Sequence, residues 1–344
     1  MLKAVTKKYI DNTLLLDKRK DYWLTDGLQT YLMMNYVAQY YPEIKLAGNI
    51  SKIWGFRNFN FSKLKFNDKY PFVYQYTARQ FLDQALNTRS DSLSNFNRKI
   101  AGKYKAGLGL RYLADYIGDT IISSSFKEFY KKNKLNFAKS ESFKKIVSKK
   151  TSKDINWFFD EYLTTDKKID YTIKKAVVLN DSVYVTIKNK RNITAPVALY
   201  GLKKKQVKFK KWLTNIDSTT TVAIPKNGFD RVSLNFENSY PEFNSMDNWK
   251  KVGKNILNKP IQFKLYKDIN DPYYHQIYLQ PNIKYNYYDG ALLGLRIHNK
   301  PILSRNFQFS ITPQYGTKSN SLNGIFNTRY IQYFENSKIN RIFY

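Results

Sequence analysis

The stretch Asp21-Tyr22-Trp23-Leu24-Thr25-Asp26-Gly27-Leu28-Gln29-Thr30-Tyr31-Leu32 decides how the first part of the chain is interpreted. After Thr25, apolar side chains recur three and four residues apart, and Pro42 follows the run. These apolar residues are Leu28, Tyr31, Leu32 and Tyr36. This spacing lines one face of a helix, and threonine is a preferred N-cap residue. The stretch therefore predicts an amphipathic helix that begins near Thr25 and ends before Pro42.

Helical spacing continues outward from this stretch to about Lys168. Residues Lys103 to Ile117 predict a second helix, which Gly118 is placed to stop. After Asp170 the period changes to two, which is typical of strands with one buried face. The sequence therefore predicts an α+β multidomain protein, divided into residues 1–168 (helical), 169–250 (β-sandwich) and 251–344 (amphipathic β-strands).

The proposed β-sandwich rests on short alternating strands. Val183, Val185 and Ile187 alternate with polar side chains, and about six such strands precede residue 250. The strands after residue 251 look longer and more aromatic, and Phe307, Phe309 and Ile311 alternate there with Gln308, Ser310 and Thr312. Such strands form either a soluble antiparallel sheet or part of an outer-membrane barrel, and the pattern alone leaves both open.

The composition excludes several classes of protein. The chain has 344 residues, and its apolar runs are too short for a membrane-spanning helix, which needs about 20 residues. Cysteine is absent, which excludes disulfide scaffolds and cysteine-based zinc sites. The net charge of +31 attracts polyanions such as nucleic acid and anionic lipid. The start, Met1 to Leu16, mixes lysines with apolar residues and predicts no signal peptide.

Two segments resemble the M1 family of zinc metallopeptidases, the gluzincin aminopeptidases. Trp23 to Gly27 resembles the family's Trp-Leu-x-Glu-Gly run, whose glutamate binds zinc, and Asp26 stands at that position. Tyr104 to Gly107 is similar to the Tyr-x-x-Gly segment, whose tyrosine stabilises the oxyanion. The resemblance extends over about residues 1–250. It implies a thermolysin-like helical subdomain, with Asp26 as a metal ligand and Tyr104 as a catalytic residue.

The family places a His-Glu-x-x-His motif so that eighteen residues separate its second histidine from the third ligand. Counting back from Asp26 puts that motif at residues 3–7, which read Lys3-Ala4-Val5-Thr6-Lys7. A protonated lysine has no lone pair for a metal, and Ala4 cannot serve as the general base. The histidines of this chain, His275 and His298, lie far away in the β segment. The sequence therefore predicts that zinc, the cofactor of active relatives, does not bind here.

Each candidate residue also has a structural interpretation. Asp26 is explained as a helical acid near a helix N-terminus, and Tyr104 as a packed tyrosine with a wet hydroxyl. Gly107 and Gly109 fit close packing between helices better than phosphate binding, since no strand precedes them. The lysine clusters at 144–153 and 203–211 favour a solvated surface over nucleic-acid binding, because the sequence contains no recognisable motif of a nucleic-acid-binding module.

These observations predict an M1-like, aminopeptidase-type protein of the bacterial cell envelope that lacks independent peptidase activity. Its expected partners are peptides, if the cleft survives, and the outer membrane or anionic lipid. Two alternatives stay open: an active zinc-dependent aminopeptidase fragment that hydrolyses peptide N-termini, and a non-catalytic scaffold or binding module. A nucleic-acid binder would instead show an affinity that falls steeply with salt.

Overall fold

The computed structural model describes residues 2–191, 193–204, 206–253, 258–334, 337, 339 and 341–344. The chain forms two compact units: unit 1 contains Met1–Leu46 and Lys65–Asn255, and unit 2 contains Ala47–Leu64 and Ile256–Tyr344. The helical and first β segments thus share one unit, and an insertion from the helical region belongs to the other. The division at residues 168 and 250 stays a prediction.

The helices, numbered in chain order, are α1 (Leu2–Thr13), α2 (Tyr22–Tyr40), α3 (Asn60–Lys63), α4 (Lys69–Arg79), α5 (Gly102–Ile117), α6 (Asp119–Asn133) and α7 (Ser140–Ser148). Short 3₁₀ turns lie at Gly48–Lys52 and Phe66–Asp68, and π-helical turns at Asn97–Ala101 and Trp157–Tyr162. Helix α2 begins earlier than predicted, because Thr25 lies inside its first turn and donates its hydroxyl to the Tyr22 carbonyl. Its end before Pro42 is confirmed, as is the second helix with its stop at Gly118.

The strands are β1 (Leu15–Leu16), β2 (Phe137–Ala138), β3 (Tyr171–Leu179), β4 (Ser182–Asn189), β5 (Val197–Lys203), β6 (Gln206–Leu213), β7 (Thr219–Pro225), β8 (Arg231–Leu234), β9 (Trp249–Lys251), β10 (Ile261–Leu265), β11 (His275–Asn286), β12 (Gly290–His298), β13 (Phe307–Gly316), β14 (Ser321–Tyr333) and β15 (Arg341–Phe343). The protein is therefore a mixed α and β chain with several sheets.

Helices α2 and α5 cross at very short range in unit 1. A Cβ atom added at Gly107 would lie 2.4 Å from the Thr30 side chain, and one at Gly27 would lie 3.1 Å from the Ala106 Cβ. A Cβ at Gly109 would lie 2.3 Å from the Tyr162 ring. The predicted packing role of Gly107 and Gly109 is therefore confirmed.

Two larger sheets in unit 1 have the strand orders β3-β4-β7 and β6-β5-β8-β9, and the short strands β1 and β2 pair in parallel. Val183, Val185 and Ile187 are fully buried, as their alternation predicts. Apart from Trp249, the buried apolar side chains of both sheets belong to one cluster, which also contains residues of helices α2, α5 and α6 such as Leu28, Leu113 and Phe129. The β-sandwich as a separate domain stays a prediction.

Unit 2 contains one six-stranded sheet, β10-β11-β12-β13-β14-β15. Its strands are long, since β11 has 12 residues and β14 has 13. The expectation of a purely antiparallel sheet is wrong at one place, because β10 pairs with β11 in parallel; the nine residues between them return the chain to the same end.

Residues 47–64 join unit 2 through Asp268. Its buried carboxylate accepts the backbone N–H groups of Asn60, at 2.7 Å, and of Phe61, at 3.2 Å. Lys264 lies 3.0 Å from the same carboxylate and donates to the Asn58 carbonyl. These contacts between residues about 200 positions apart explain the grouping. Among the helices that the structure describes, none is both long and apolar enough to cross a membrane.

Candidate functional site

The carboxylate of Asp26 is held by an ammonium group. Asp26 lies in the second turn of α2, and Lys103 lies in the first turn of α5, which packs against α2. The Lys103 Nζ atom lies 3.0 Å from Asp26 Oδ1, and the two side chains are only 24% and 18% exposed. The backbone carbonyl of Asp26 also has a partner, because the Thr30 hydroxyl donates a hydrogen bond to it. The predicted metal ligand is thus one half of a largely buried ion pair.

Residues 3–7, where the family spacing puts the His-Glu-x-x-His motif, lie on α1, which packs against α2. The helix places positions 3 and 7 one turn apart on the same face. Burial raises the pKa of Asp26, and Lys7 acts electrostatically on the same carboxylate in the opposite direction. The side chain of Lys3 lies outside the described part of the chain.

Burial raises the pKa of Asp26 above the usual range of an aspartate. The Lys103 and Lys7 ammonium groups oppose this shift, whereas the Asp11 carboxylate adds to it. The Tyr22 hydroxyl is also buried nearby, and burial together with the Asp26 charge raises its pKa. Asp26 therefore sits in a poorly solvated environment where cationic side chains supply its counter-charge.

Tyr104 is a packed side chain of α5. Its ring makes an edge-to-face contact with Tyr70, with ring centroids 4.7 Å apart, and lies against the cluster formed by Met34, Tyr74 and Leu108. Burial raises the pKa of its hydroxyl, which therefore stays protonated near neutral pH and can donate a hydrogen bond. Tyr104 directly follows Lys103, so the helix brings the predicted catalytic tyrosine and the partner of Asp26 to one end of α5. The catalytic role of Tyr104 stays a prediction.

The donor set near Asp26 does not fit zinc. Zinc sites usually combine three or four nitrogen, sulfur or oxygen ligands around the ion. Within the residues that the structure describes, no three His, Cys, Asp or Glu side chains are grouped so that they could hold a metal ion. The ion pair with Lys103 instead satisfies Asp26 with a cation that offers no lone pair. His275 and His298 belong to unit 2.

Sequence reasoning missed a second cluster of charges in unit 1. Asp83 lies between two ammonium groups, with Lys105 at 3.3 Å and Lys168 at 3.2 Å, and all three side chains are at most 4% exposed. Burial lowers the pKa of Lys105, the Asp83 carboxylate opposes that shift, and the charge of Lys168 adds to it. A signal existed, because Lys105 precedes Leu108 and Tyr112 by three and seven residues and so lies on the apolar face of α5.

A cavity of about 270 Å³ lies elsewhere in unit 1. Lys65, Asp68, Arg111 and Glu237 are among the side chains that line it. Asp26, Lys103 and Tyr104 do not line it. The cavity is therefore separate from the predicted metal and catalytic residues.

Several lysines of the basic clusters have acidic partners within unit 1. Lys144 lies 2.6 Å from Asp160, and Lys150 lies 2.9 Å from Glu128. Lys210 bridges Asp115 and Glu237, at 2.9 Å from each. Lys205 lies outside the described residues. That nucleic acid is not a partner stays a prediction.

No protein-family model and no curated protein matches this sequence. Among solved structures, the chain is similar to aminopeptidase A of Legionella pneumophila, determined in complex with aspartic acid. The identity is 16% and the TM-score is 0.43, and the match covers 64% of this chain. The chain spans 23% of that protein's chain.

Proposed function

We propose that unit 1 is an M1-like peptidase module that does not hydrolyse peptides by itself and serves a non-catalytic scaffold or peptide-binding role in a bacterial cell envelope. The observation that carries this proposal is the ion pair between Asp26 and Lys103, 3.0 Å apart in a largely buried setting. The family assignment rests on the Trp-Leu-x-Asp-Gly and Tyr-x-x-Gly segments of the sequence.

Lys103 differs from a metal ion in the chemistry that its positive charge can support. In an active relative, a divalent ion supplies positive charge beside the third-ligand carboxylate and activates water. Here, Lys103 supplies positive charge at that carboxylate, and Lys7 contributes at longer range. Two positive charges about 4 Å apart repel each other by about 4 kcal/mol at an effective dielectric of 20, so a further cation beside Asp26 is disfavoured. The ammonium can balance the carboxylate, but it has no open coordination position at which water could be bound and ionised to hydroxide.

In the proposal, the hydroxyl of Tyr104 binds a peptide, although no metal-bound water hydrolyses it. Tyr104 keeps a protonated hydroxyl at a half-buried position, where it can donate to a carbonyl oxygen of a bound peptide. The alternative of an active zinc-dependent aminopeptidase fragment requires histidines or carboxylates where the chain has Lys3 and Lys7. The non-catalytic role is therefore preferred.

Metal analysis and hydrolysis of amino-acid anilides test this proposal on the full chain. We expect no stoichiometric zinc and no hydrolysis above the uncatalysed rate, with no change in the Asp26→Asn variant. Zinc at one equivalent together with hydrolysis, both lost in Asp26→Asn, would overturn the proposal.

A restored variant tests the register and the role of Lys103 together. It carries Lys3→His, Ala4→Glu, Lys7→His and Asp26→Glu, and its matched partner adds Lys103→Ala. We expect zinc to bind at least about tenfold more tightly to the variant without Lys103, because the competing ammonium is gone. Equal zinc affinity for both variants would show that Lys103 does not stand in for the metal charge.

A further inference from the structure

The six-stranded sheet of unit 2 has two faces of opposite composition. Residues that pair across neighbouring strands lie on the same face of a sheet, so the strand register shows which side chains share a face. Ile283 pairs with Leu293, Leu293 with Tyr315, and Tyr315 with Leu322, which defines one face across four strands. The neighbouring positions, which point the other way, include Asn282, Gly294, Gln314 and Asn323. We name these the apolar face and the polar face.

Burial is the reverse of what a soluble sheet shows. On the polar face, Ser310, Thr312 and Gln314 are 1%, 5% and 4% exposed. On the apolar face, Ile283 and Phe326 are 74% and 67% exposed. An antiparallel sheet in water normally buries its apolar face and solvates its polar one. Strand β13 of this sheet does the opposite, because its polar positions are buried and its apolar positions Phe307, Ile311 and Tyr315 are exposed.

The apolar face also excludes charge. The chain has 58 Lys and Arg and 27 Asp and Glu, yet none of the strand positions assigned to this face in the described residues is one of these four types. The charged strand residues lie on the polar face instead: Lys264, Lys284, Arg296, Arg329 and Arg341. Chance does not readily produce a charge-free face across six strands in a quarter-charged chain.

Exposed tyrosines and phenylalanines lie at both ends of this face, and Leu295, Ile311 and Phe326 lie between them. At the end formed by the turns after β11 and β13, the exposed aromatic residues are Tyr285, Tyr287, Tyr288 and Tyr315. At the other end they are Phe307, Tyr330 and Tyr344. From Phe307 to Tyr315 the strand rises about 26 Å, at about 3.3 Å per residue. This span of nine residues is comparable to the about 9–11 residues of a tilted transmembrane strand, and aromatic side chains flank the apolar band of such strands.

We infer that the apolar face contacts the hydrocarbon interior of a lipid bilayer, with the two tyrosine ends at the headgroup level. Tyrosine hydroxyls at both ends of an aliphatic band follow the polarity profile of a bilayer. Lys318 adds charge complementarity to anionic headgroups, since its Nζ lies 4.2 Å from the Tyr287 ring centroid, at the same end of the sheet. Because hydrocarbon offers no water to free backbone groups, insertion requires that the backbone groups at the β10 and β15 edges find hydrogen-bond partners.

Single cysteines test this inference directly, because the chain contains no cysteine of its own. The full chain carrying Phe326→Cys or Asn327→Cys, each with a fluorescent label, is mixed with vesicles of phosphatidylcholine and phosphatidylglycerol whose acyl chains are brominated. Residues 326 and 327 are both exposed neighbours on β14 but point to opposite faces. We expect several-fold stronger quenching at 326 than at 327, and no quenching for Val177→Cys, an exposed strand position of unit 1.

A charge placed on the same face provides the second measurement. Ile311 pairs with Phe326 in the middle of the face, and Ile311→Lys is expected to weaken vesicle binding at least about tenfold, whereas Val177→Lys leaves it unchanged. Equal or absent quenching at 326 and 327 would overturn the inference. So would shielding of residue 326 by a second copy of the chain in lipid-free solution. Neither result involves Asp26 or Lys103, so the two proposals fail independently.

Discussion

Strands β4 and β13 have the same alternating sequence pattern and opposite surroundings. In β4 the apolar side chains of Val183, Val185 and Ile187 are fully buried, in the manner of a soluble domain. In β13 the polar side chains of Ser310 and Thr312 are buried, and the apolar side chains lie on the exposed apolar face. A period of two therefore shows that a strand has two different faces, but it does not show which face is buried.

The largest expected effect comes from one substitution made in both strands. Val185→Asn removes a buried aliphatic side chain and buries an amide without partners, so we expect a loss of about 3–5 kcal/mol in the free energy of unfolding. Ile311→Asn, on the half-exposed apolar face of β13, should cost only about 1 kcal/mol in lipid-free solution, the scale of strand propensity and of its cross-strand contact with Phe326. Urea unfolding followed by far-UV circular dichroism measures both.

A comparable loss at Ile311 would contradict the comparison, because it would mean that the apolar face of β13 is buried in the lipid-free protein. A small loss at Val185 would contradict the other half, since it would mean that β4 tolerates a polar group in its core.

Local patterns predicted much of unit 1. The helical spacing after Thr25, the stop at Gly118 and the alternation of Val183 to Ile187 are local signals, and the structure confirms the elements that they indicate. The membership of residues 47–64 in unit 2 could not be predicted, because it depends on Asp268, about 200 residues away. The parallel pairing of β10 with β11 could not be predicted either, because it depends on the path of the chain between the two strands and not on the alternation within each.

The candidate site was predicted only in part. The resemblance identified Asp26, and the spacing placed Lys7 on α1, which packs against α2, but the pairing with Lys103 depends on how α2 and α5 cross. Lys103 and Tyr104 are adjacent in sequence, so the resemblance pointed to the end of α5 where Lys103 lies, without showing the ion pair. The roles of Asp26 and Tyr104 stay predictions.

The second largest expected effect comes from Asp83→Asn, and it compares buried charged groups in unit 1 with buried neutral groups on β13. Unit 1 buries charges in the cluster of Asp83, Lys105 and Lys168, whereas the buried polar residues on β13 are neutral. Asp83→Asn leaves two buried ammonium groups without a carboxylate, and we expect a loss of about 3 kcal/mol. The loss is at the low end for a buried pair, because both lysines also donate to backbone carbonyls, those of Gln84 and Asp166.

The matched control is Asp91→Asn. Asp91 pairs with Arg19 and Arg89 at the surface, so its removal should cost no more than about 1 kcal/mol. Burial lowers the pKa of Lys105 below that of an unfolded lysine, so the unfolded chain binds more protons at alkaline pH. The Asp83→Asn protein should therefore regain stability as the pH rises. A variant that is equally destabilised at all pH values would argue against a charge effect.

The smallest effect tests close packing in the two units with the same substitution. Gly107→Ala places a methyl group against Thr30, whose side chain is branched and is held by its hydrogen bond to the Asp26 carbonyl, so it cannot move aside freely. Alanine favours a helix by about 1 kcal/mol, and overpacking costs about 1–3 kcal/mol, so we expect a net loss of about 1 kcal/mol. Gly55→Ala in unit 2 meets no atom within 4 Å and should not destabilise the protein. Thermal unfolding of both variants separates the outcomes. If Gly107→Ala is stabilising, helix propensity outweighs contact, and α2 and α5 must then be able to separate at the position where Asp26 meets Lys103.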